Sequence, residues 1–461
     1  MLPEVATSIP GPQSRLLAHR LRVVESQNVT YLDEDFPIFW ERAQGVNVWD
    51  VDNNRFLDFT SAFGVTSLGH SAPPIRHALE KQASRLWHAM GDVHPSRLKV
   101  ELCETLSQLT FERWGTGPAK TVLCNSGSES IEVALKTALL YNGKSGVLSF
   151  TGGYHGLSYG ALEIAGIPYF RTPFKDQLGR FSVQLPYPSC YRCPFGVHDT
   201  FRLEGSFFPN CSHLCLKKLE DQIEKTLASR EIGCVLVEPI QARGGEIIPP
   251  LDFLVLLRRI CDTYKVLLVL DEIYTGFNRT GRLFACEHSK ILPDILCLGK
   301  GLTNGFPLSA CTGRSDIMDA WPLSKGEALH TSTFLGNPLG CAMALASLQE
   351  HSRPETAAHV CKIGHFFRVA LEGIRHPAIG NIRSIGLMLG MEFIRADGSP
   401  DAVLTNQLMK HALEKGFIFL AGAPYGNVLS LAPPFGISEE EIRFTTDWIQ
   451  EYLTSFAGSL S

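Results

Sequence analysis

No apolar run in this sequence approaches the roughly 20 residues that a membrane-spanning helix needs. The longest, such as residues 266–270, are strand-sized. Charge is also sparse. Lys, Arg, Asp and Glu make up 19% of the 461 residues, and the formal net charge is −5. With no basic cluster, this mild acidity argues against nucleic acid or an anionic membrane as a partner. The N-terminal stretch contains no signal-peptide apolar core; its arginines faintly suggest a transit sequence, but Glu4, Glu25 and nearby prolines oppose that. Internal repeats and low-complexity tracts are missing as well. Most of the cysteines, among them Cys124, Cys234, Cys297 and Cys341, stand singly inside apolar segments. That pattern reads as reduced core thiols in a cytoplasmic protein, not as a disulfide framework. What remains, at 44% hydrophobic, suits a soluble globular protein of two or three domains with substantial cores.

Residues 1–30 read as a loosely packed arm. Residues 46–59 alternate apolar and polar positions around Asn53-Asn54, a hairpin turn signal. From about residue 75 helices alternate with short apolar strands. Residues 74–90 and 96–109 have helical period, and strands are expected at 121–124, 146–150, 234–238, 266–270 and 295–298. Continuous apolar strands separated by helices imply an α/β fold with a mostly parallel sheet covered on both faces. After a long helix beginning near Pro338 the chain alternates again, which implies a smaller α+β domain built from the N- and C-terminal segments. The expected division is 1–65 for the arm and part of the small domain, 66–337 for the large domain, and 338–461 for the rest of the small one.

Ligands bind at the carboxyl ends of strands in such a fold, and the chemistry-bearing residues fall there. Lys300 lies between two glycines just past a strand, and Asp271 ends another. A buried carboxylate needs a cationic partner, and a lysine so placed gains little unless its amine does chemistry. Pyridoxal phosphate (PLP) would meet both needs, with an aldehyde for the lysine and a ring nitrogen for the aspartate to hold protonated. A strand-end Asp capping a helix, with a solvated loop Lys, is the plain alternative. Ser126, Gly127 and Ser128 follow a strand and open a helix, so their amides can cradle a phosphate or simply cap the helix. Tyr154, in the glycine-rich turn 151–156, can lie on a planar cofactor or sit at the surface of a tight turn. Arg243, among glycines after Glu238, has the fork geometry that grips carboxylates, though a solvated loop Arg fits equally. Cys190, Cys193, Cys211 and Cys215 form two close pairs near the spacing of zinc or iron–sulfur sites. Reduced thiols packing a loop, or a partial disulfide, fit the same spacing; that reading is adopted and no metal is expected.

Together these segments resemble the class III aminotransferases of ornithine and 4-aminobutyrate type, PLP enzymes of fold type I. The resemblance covers nearly the whole chain. Its signature is LLVLDEIYTGFNRTGRLFACEH followed by PDILCLGKGLTNGFPLSA. It implies that Lys300 is the Schiff-base and proton-carrying lysine and that Asp271 partners the pyridinium nitrogen. Ser126, Gly127 and Ser128 match the phosphate turn, Tyr154 the ring-stacking aromatic with His155 beside it, and Tyr274 a position against the cofactor. Thr333 matches a threonine that reaches the phosphate of the other subunit, so a homodimer is implied. Glu238 and Gln241 match the site floor. The implied activity is ping-pong transfer of an amino group from an amino acid or ω-amine such as 4-aminobutyrate to a keto acid. An amino-acid racemase or epimerase is the alternative, and a binding protein on a dead scaffold is a more distant one. Four positions depart from the pattern. Leu157 and Ser430 stand where relatives using glutamate carry Arg, Arg243 stands where they carry Glu, and Tyr274 where many carry Gln. The expectation is that Arg243 takes over a substrate carboxylate.

Overall fold

The computed structural model describes residues 1–30, 36–196, 214–422 and 424–457. They form two compact units, one of Met1–Ala72 with His359–Ser461 and one of Pro73–Ala358.

The larger unit is built on a seven-stranded sheet. Its strands are β1 (Ala119–Cys124), β2 (Gly146–Phe150), β3 (Ser182–Leu185), β4 (Ile232–Val237), β5 (Leu267–Asp271), β6 (Ile295–Leu298) and β7 (Ser309–Arg314). The spatial order is β1-β7-β6-β5-β4-β2-β3. All neighbours pair in parallel except β7, which runs antiparallel to both β1 and β6. The inner strands β4, β5 and β6 are buried at every position. That is why they read as unbroken apolar runs: both faces of a parallel sheet are covered. One face packs a cluster including Leu268, Leu270, Leu296 and Leu298, and the other a cluster including Leu267, Val269, Ile295 and Cys297, as strand alternation demands.

The helix Pro338–His351 belongs to this unit. Its Cys341, Ala344 and Leu348 join the large core, and Ser347 Oγ donates to the Gly301 carbonyl at 2.8 Å. The boundaries expected after residues 65 and 337 therefore move to Ala72 and Ala358. A composition shift marks the helix start, but burial of one apolar stripe decides which core it joins.

In the smaller unit the hairpin pairs Asn47–Asp50 with Arg55–Asp58, and Asn53 turns at φ 63°. A second antiparallel sheet holds Ile379–Ile385, Met388–Phe393, Val428–Leu431 and Leu420–Gly422. The N-terminal segment is more integrated than a loose arm. Glu4 pairs by backbone with Arg55, and Asp52 accepts the Gln13 and Ser14 amides at 2.7 and 2.9 Å, capping the helix Pro12–Val24. The signal was a cap supplied from 39 residues away, which local pattern cannot reveal. No helix among the described residues is long and apolar enough to cross a membrane.

Candidate active site

The carboxyl ends of β1, β2, β4, β5 and β6 deliver Ser126, Tyr154, Glu238, Asp271 and Lys300 in turn. Lys300 follows β6 and opens a short 3₁₀ turn, Lys300–Leu302, at φ 43°. A non-glycine residue held at positive φ is costly and persists where the surroundings over-determine it. Here buried Leu302 and the Ser347 bond to Gly301 hold the turn from below. Gly299 cannot carry a side chain without crowding, since a Cβ would lie 3.2 Å from Ile273 Cγ2. Lys300 Nζ sits 4.8 Å from the centre of the Tyr274 ring. Its side chain keeps partial exposure, yet the amine lies deep enough that burial dominates and lowers its pKa. The charges of Asp271, Glu238 and Glu246 oppose that shift, and Arg243 adds to it. A lysine drawn below its ordinary value has a larger uncharged, proton-accepting fraction.

Beside it is a buried acid–base cluster. Asp271 accepts a hydrogen bond at Oδ2 from His155 Nδ1 at 2.8 Å, and at Oδ1 from the Ile273 amide at 3.1 Å. Burial alone would strip His155 of charge, but the hydrogen bond to Asp271 and the charges of Asp271 and Glu238 raise its pKa overall. Glu238 is pushed up to about 7 by burial and by Asp271, with His155 and two backbone amides pulling back. Glu272, adjacent in sequence, points elsewhere: it accepts the Thr275 hydroxyl and the Ala285 and Cys286 amides. Side chains alternate along a strand, so only Asp271 of this acidic pair serves the site.

The turn after β1 is shaped by close approaches. Ser126 caps Gly127–Asn142 and accepts the Glu129 amide at 3.3 Å, while its own carbonyl accepts Ser309 Oγ at 2.5 Å. A Cβ on Gly127 would meet Ile273 Cδ1 at 2.8 Å, and one on Gly156 (φ 107°) would meet Ser128 Oγ at 2.5 Å. The Gly127 and Ser128 amides thus stay open at the positive end of a 16-residue helix. Ser128 Oγ is 2.5 Å from Ser158 Oγ, and Ser158 donates on to Glu132 at 2.6 Å. Asn125 donates to Ser332 at 2.9 Å, which brings the 331–337 loop to this turn. Thr333 on that loop is exposed, and its side chain makes no hydrogen bond among the described residues.

Tyr154 donates its amide to Glu238 Oε1 at 2.8 Å. Its ring meets Phe170 at 5.6 Å, and the Arg243 guanidinium lies 5.3 Å from Tyr154 and 5.2 Å from Phe170. Gln241 is buried and donates to the Thr151 carbonyl at 2.8 Å, so its amide serves the Tyr154 turn. Phe170 and Glu246 are additions that sequence reading did not find. Phe170 reaches the site from a separate short helix, and Glu246 is buried at φ 54°. An acidic residue directly after Gly244-Gly245, where a loop turns back into the core, was the available signal.

A ring nitrogen needs a buried anion, a phosphate needs open amides at a helix start, and an aldehyde needs an amine of lowered pKa. Asp271, the Gly127–Ser128 turn and Lys300 supply these, so the site fits PLP. Of the four paired cysteines, Cys193 packs on the large core, Cys215 is buried, Cys190 is half-buried and Cys211 lies outside the described residues. Among the described residues no group of three or more potential metal ligands is assembled.

Comparison with known proteins agrees. The family described as aminotransferase class-III matches residues 30–453. The 4-aminobutyrate aminotransferase of Mycobacterium leprae (strain TN) is 33% identical over 456 residues, covering 98% of each chain. An alanine/serine racemase of Pyrococcus horikoshii is 29% identical over 446 residues, covering 95% of this chain and 90% of that one. An amine transaminase from an uncultivated Pseudomonas species, solved in its PLP-bound form, is 27% identical with TM-score 0.83, covering 94% and 98%.

Proposed function

Because the chain belongs to the class III aminotransferases, PLP-dependent transaminases, we propose that it transfers an amino group from an ω-amino acid of 4-aminobutyrate type to a keto acid. The observation carrying this is Lys300, its amine 4.8 Å from Tyr274 and its pKa lowered beside a buried Asp271–His155 pair. Bound, the cofactor supplies an aldehyde that takes up the amino group and a ring that draws electrons from the neighbouring carbon. Lys300 would hold that aldehyde and, in its uncharged form, would take the proton from the donor's carbon and return it. Asp271, hydrogen-bonded and oriented by His155, would partner the cofactor's ring nitrogen. Gly127 and Ser128 would hold its phosphate, with Ser126 capping their helix, and Tyr154 would flank its ring; Tyr274 faces the Lys300 amine, and Glu238 with Gln241 fixes the surrounding turns. Arg243 meets the substrate.

A homodimer with shared sites is part of the same reading. The adjoining segments around Trp87 and Phe334 leave Trp87 67%, Leu329 66% and Phe334 59% exposed. Asn337 donates to the Trp87 carbonyl at 3.1 Å, and His88 packs on Phe334, so these form one patch. An apolar patch of this kind suits burial against a second copy, and exposed Thr333 lies on it. Sedimentation of the holoenzyme as a monomer at micromolar concentration would refute it. Cys124, Cys234, Cys297 and Cys341 are buried free thiols, which supports a cytoplasmic setting.

Likeness to a racemase supports a second reading, because return of the proton to the same carbon needs the same residues. Holoenzyme incubated with single donors and no keto acid distinguishes them. Transamination consumes the cofactor's aldehyde absorbance once per site and then stops. Loss of optical activity from one enantiomer of alanine, with that absorbance retained, indicates racemisation instead.

A further inference from the structure

We propose that Arg243 reads a carboxylate of the substrate and that Phe170 sets this preference by completing, with Tyr154, an aromatic cradle for the guanidinium. The proposal rests on the aminotransferase reading above and deepens it, naming the residues that set a preference for carboxylate-bearing donors over plain amines.

Arg243 is an exposed residue whose guanidinium lies between two rings, 5.3 Å from the Tyr154 ring centre and 5.2 Å from that of Phe170. The rings themselves stand edge to face, with centroids 5.6 Å apart at 63°. Aromatic faces attract a guanidinium through their quadrupole and leave its N–H donors unspent. Among the described residues no carboxylate pairs with Arg243. The guanidinium stands over Tyr154, the ring beside the Lys300 site, and Glu238 ties both Tyr154 and Ala242 there. An arginine set against two rings of the site and without a carboxylate partner is prepared for an anion that arrives with the substrate. Its planar fork matches a carboxylate in two parallel hydrogen bonds.

The cradle is assembled from three separated segments and locked. Glu238 accepts the Tyr154 amide at Oε1 (2.8 Å) and the Ala242 amide at Oε2 (3.2 Å), so one buried carboxylate ties the tyrosine to the residue before Arg243. Gln241 bonds the Thr151 carbonyl at 2.8 Å and pairs by backbone with Ile247. Phe170 lies on the short helix Pro168–Arg171. That helix is joined to the tyrosine turn by Gly152 donating to Gly166 at 2.9 Å and Gly166 donating to Gly153 at 2.7 Å. A long side chain held in place before binding loses less freedom when it binds. Phe170 therefore acts through Arg243 and is a positioning residue.

The test compares donors that differ by one carboxylate: 4-aminobutyrate against propylamine, and alanine against ethylamine. The reading is the ratio of kcat/KM for the acid over the amine. Arg243→Ala is expected to lower that ratio about 100-fold, the range of a charge-assisted bidentate contact. Phe170→Leu, which keeps the volume but removes the ring, is expected to lower it about five-fold, and Phe170→Tyr to restore it. A second readout is independent of turnover: calorimetric binding of valerate, which has the carboxylate and no amine, should weaken in the same order. The cofactor's absorbance in each variant verifies that the site is assembled. Transamination with the acid-to-amine ratio unchanged in Arg243→Ala overturns the proposal alone. So does a wild type that prefers the plain amines. A wild type that transaminates none of the four overturns the underlying reading and this proposal with it. A ratio in Phe170→Leu equal to wild type overturns the role of the ring.

Discussion

Replacing Asp271 by Asn removes one charge and changes almost no volume, so it isolates what that charge does. The carboxylate is buried and accepts His155 Nδ1 at 2.8 Å, and this bond with its charge is what raises the His155 pKa against the effect of burial. A group whose pKa is raised on folding contributes stability that is complete below its unfolded value, 6.5 for histidine, and is lost as pH climbs through the folded value. Glu238 adds a slope of the same sign. Its folded value of about 7 lies above its unfolded 4.5, partly through Asp271, so wild-type stability falls as pH rises across that interval. Asp271→Asn weakens both effects. A charge-assisted buried hydrogen bond is worth about 1.5–3 kcal/mol. The variant should lose about 2 kcal/mol at pH 6, and progressively less as His155 sheds its proton and relief of Asp271–Glu238 repulsion offsets the loss. Urea unfolding of the cofactor-free protein at pH 6, 7.5 and 9 measures this. Equal losses at pH 6 and pH 9 would mean that the pair does not hold a charged histidine, and the reasoning would be refuted.

Three other substitutions follow from the geometry. Gly156→Ala places a methyl 2.5 Å from Ser128 Oγ at φ 107°, so the phosphate turn must shift; PLP affinity measured by titration of the cofactor-free enzyme should fall about ten-fold or more. Gly166→Ala would set a Cβ 2.1 Å from the Phe150 carbonyl oxygen, and a loss of about 3 kcal/mol in denaturant unfolding is expected. Glu272→Gln leaves a buried amide donor unmatched where the carboxylate now accepts three hydrogen bonds. It should cost about 2 kcal/mol in stability while PLP binding, followed by absorbance, persists.

How much of this was legible in the sequence depended on how local the cause was. The strand ends carrying Asp271 and Lys300 were readable because β5 and β6 are buried on both faces and so are continuously apolar. The turn at Gly127 was readable because a small-residue cap at a helix start is a local pattern. His155 was expected beside the cofactor, but its hydrogen bond to Asp271 joins residues 116 apart, and no spacing rule predicts it. Gln241 is expected on the site floor, but the bond of its amide to the Thr151 carbonyl joins residues 90 apart and has no local signal. Phe170 escaped notice because its helix is four residues long and its place depends on the fit of Gly166 against Phe150. The helix Pro338–His351 is apolar nearly all round, so its sequence does not say which core it joins; the packing of Cys341, Ala344 and Leu348 on the large core decides.

Lys300 is the residue expected to hold the cofactor's aldehyde. Borohydride reduction of the holoenzyme makes such a link permanent, and mass spectrometry of the digested protein then locates it. A pyridoxyl-phosphate mass is expected on the peptide containing Lys300, abolished by prior incubation with an amino donor. A label on any other lysine, or an unmodified Lys300 peptide from fully loaded enzyme, would contradict it.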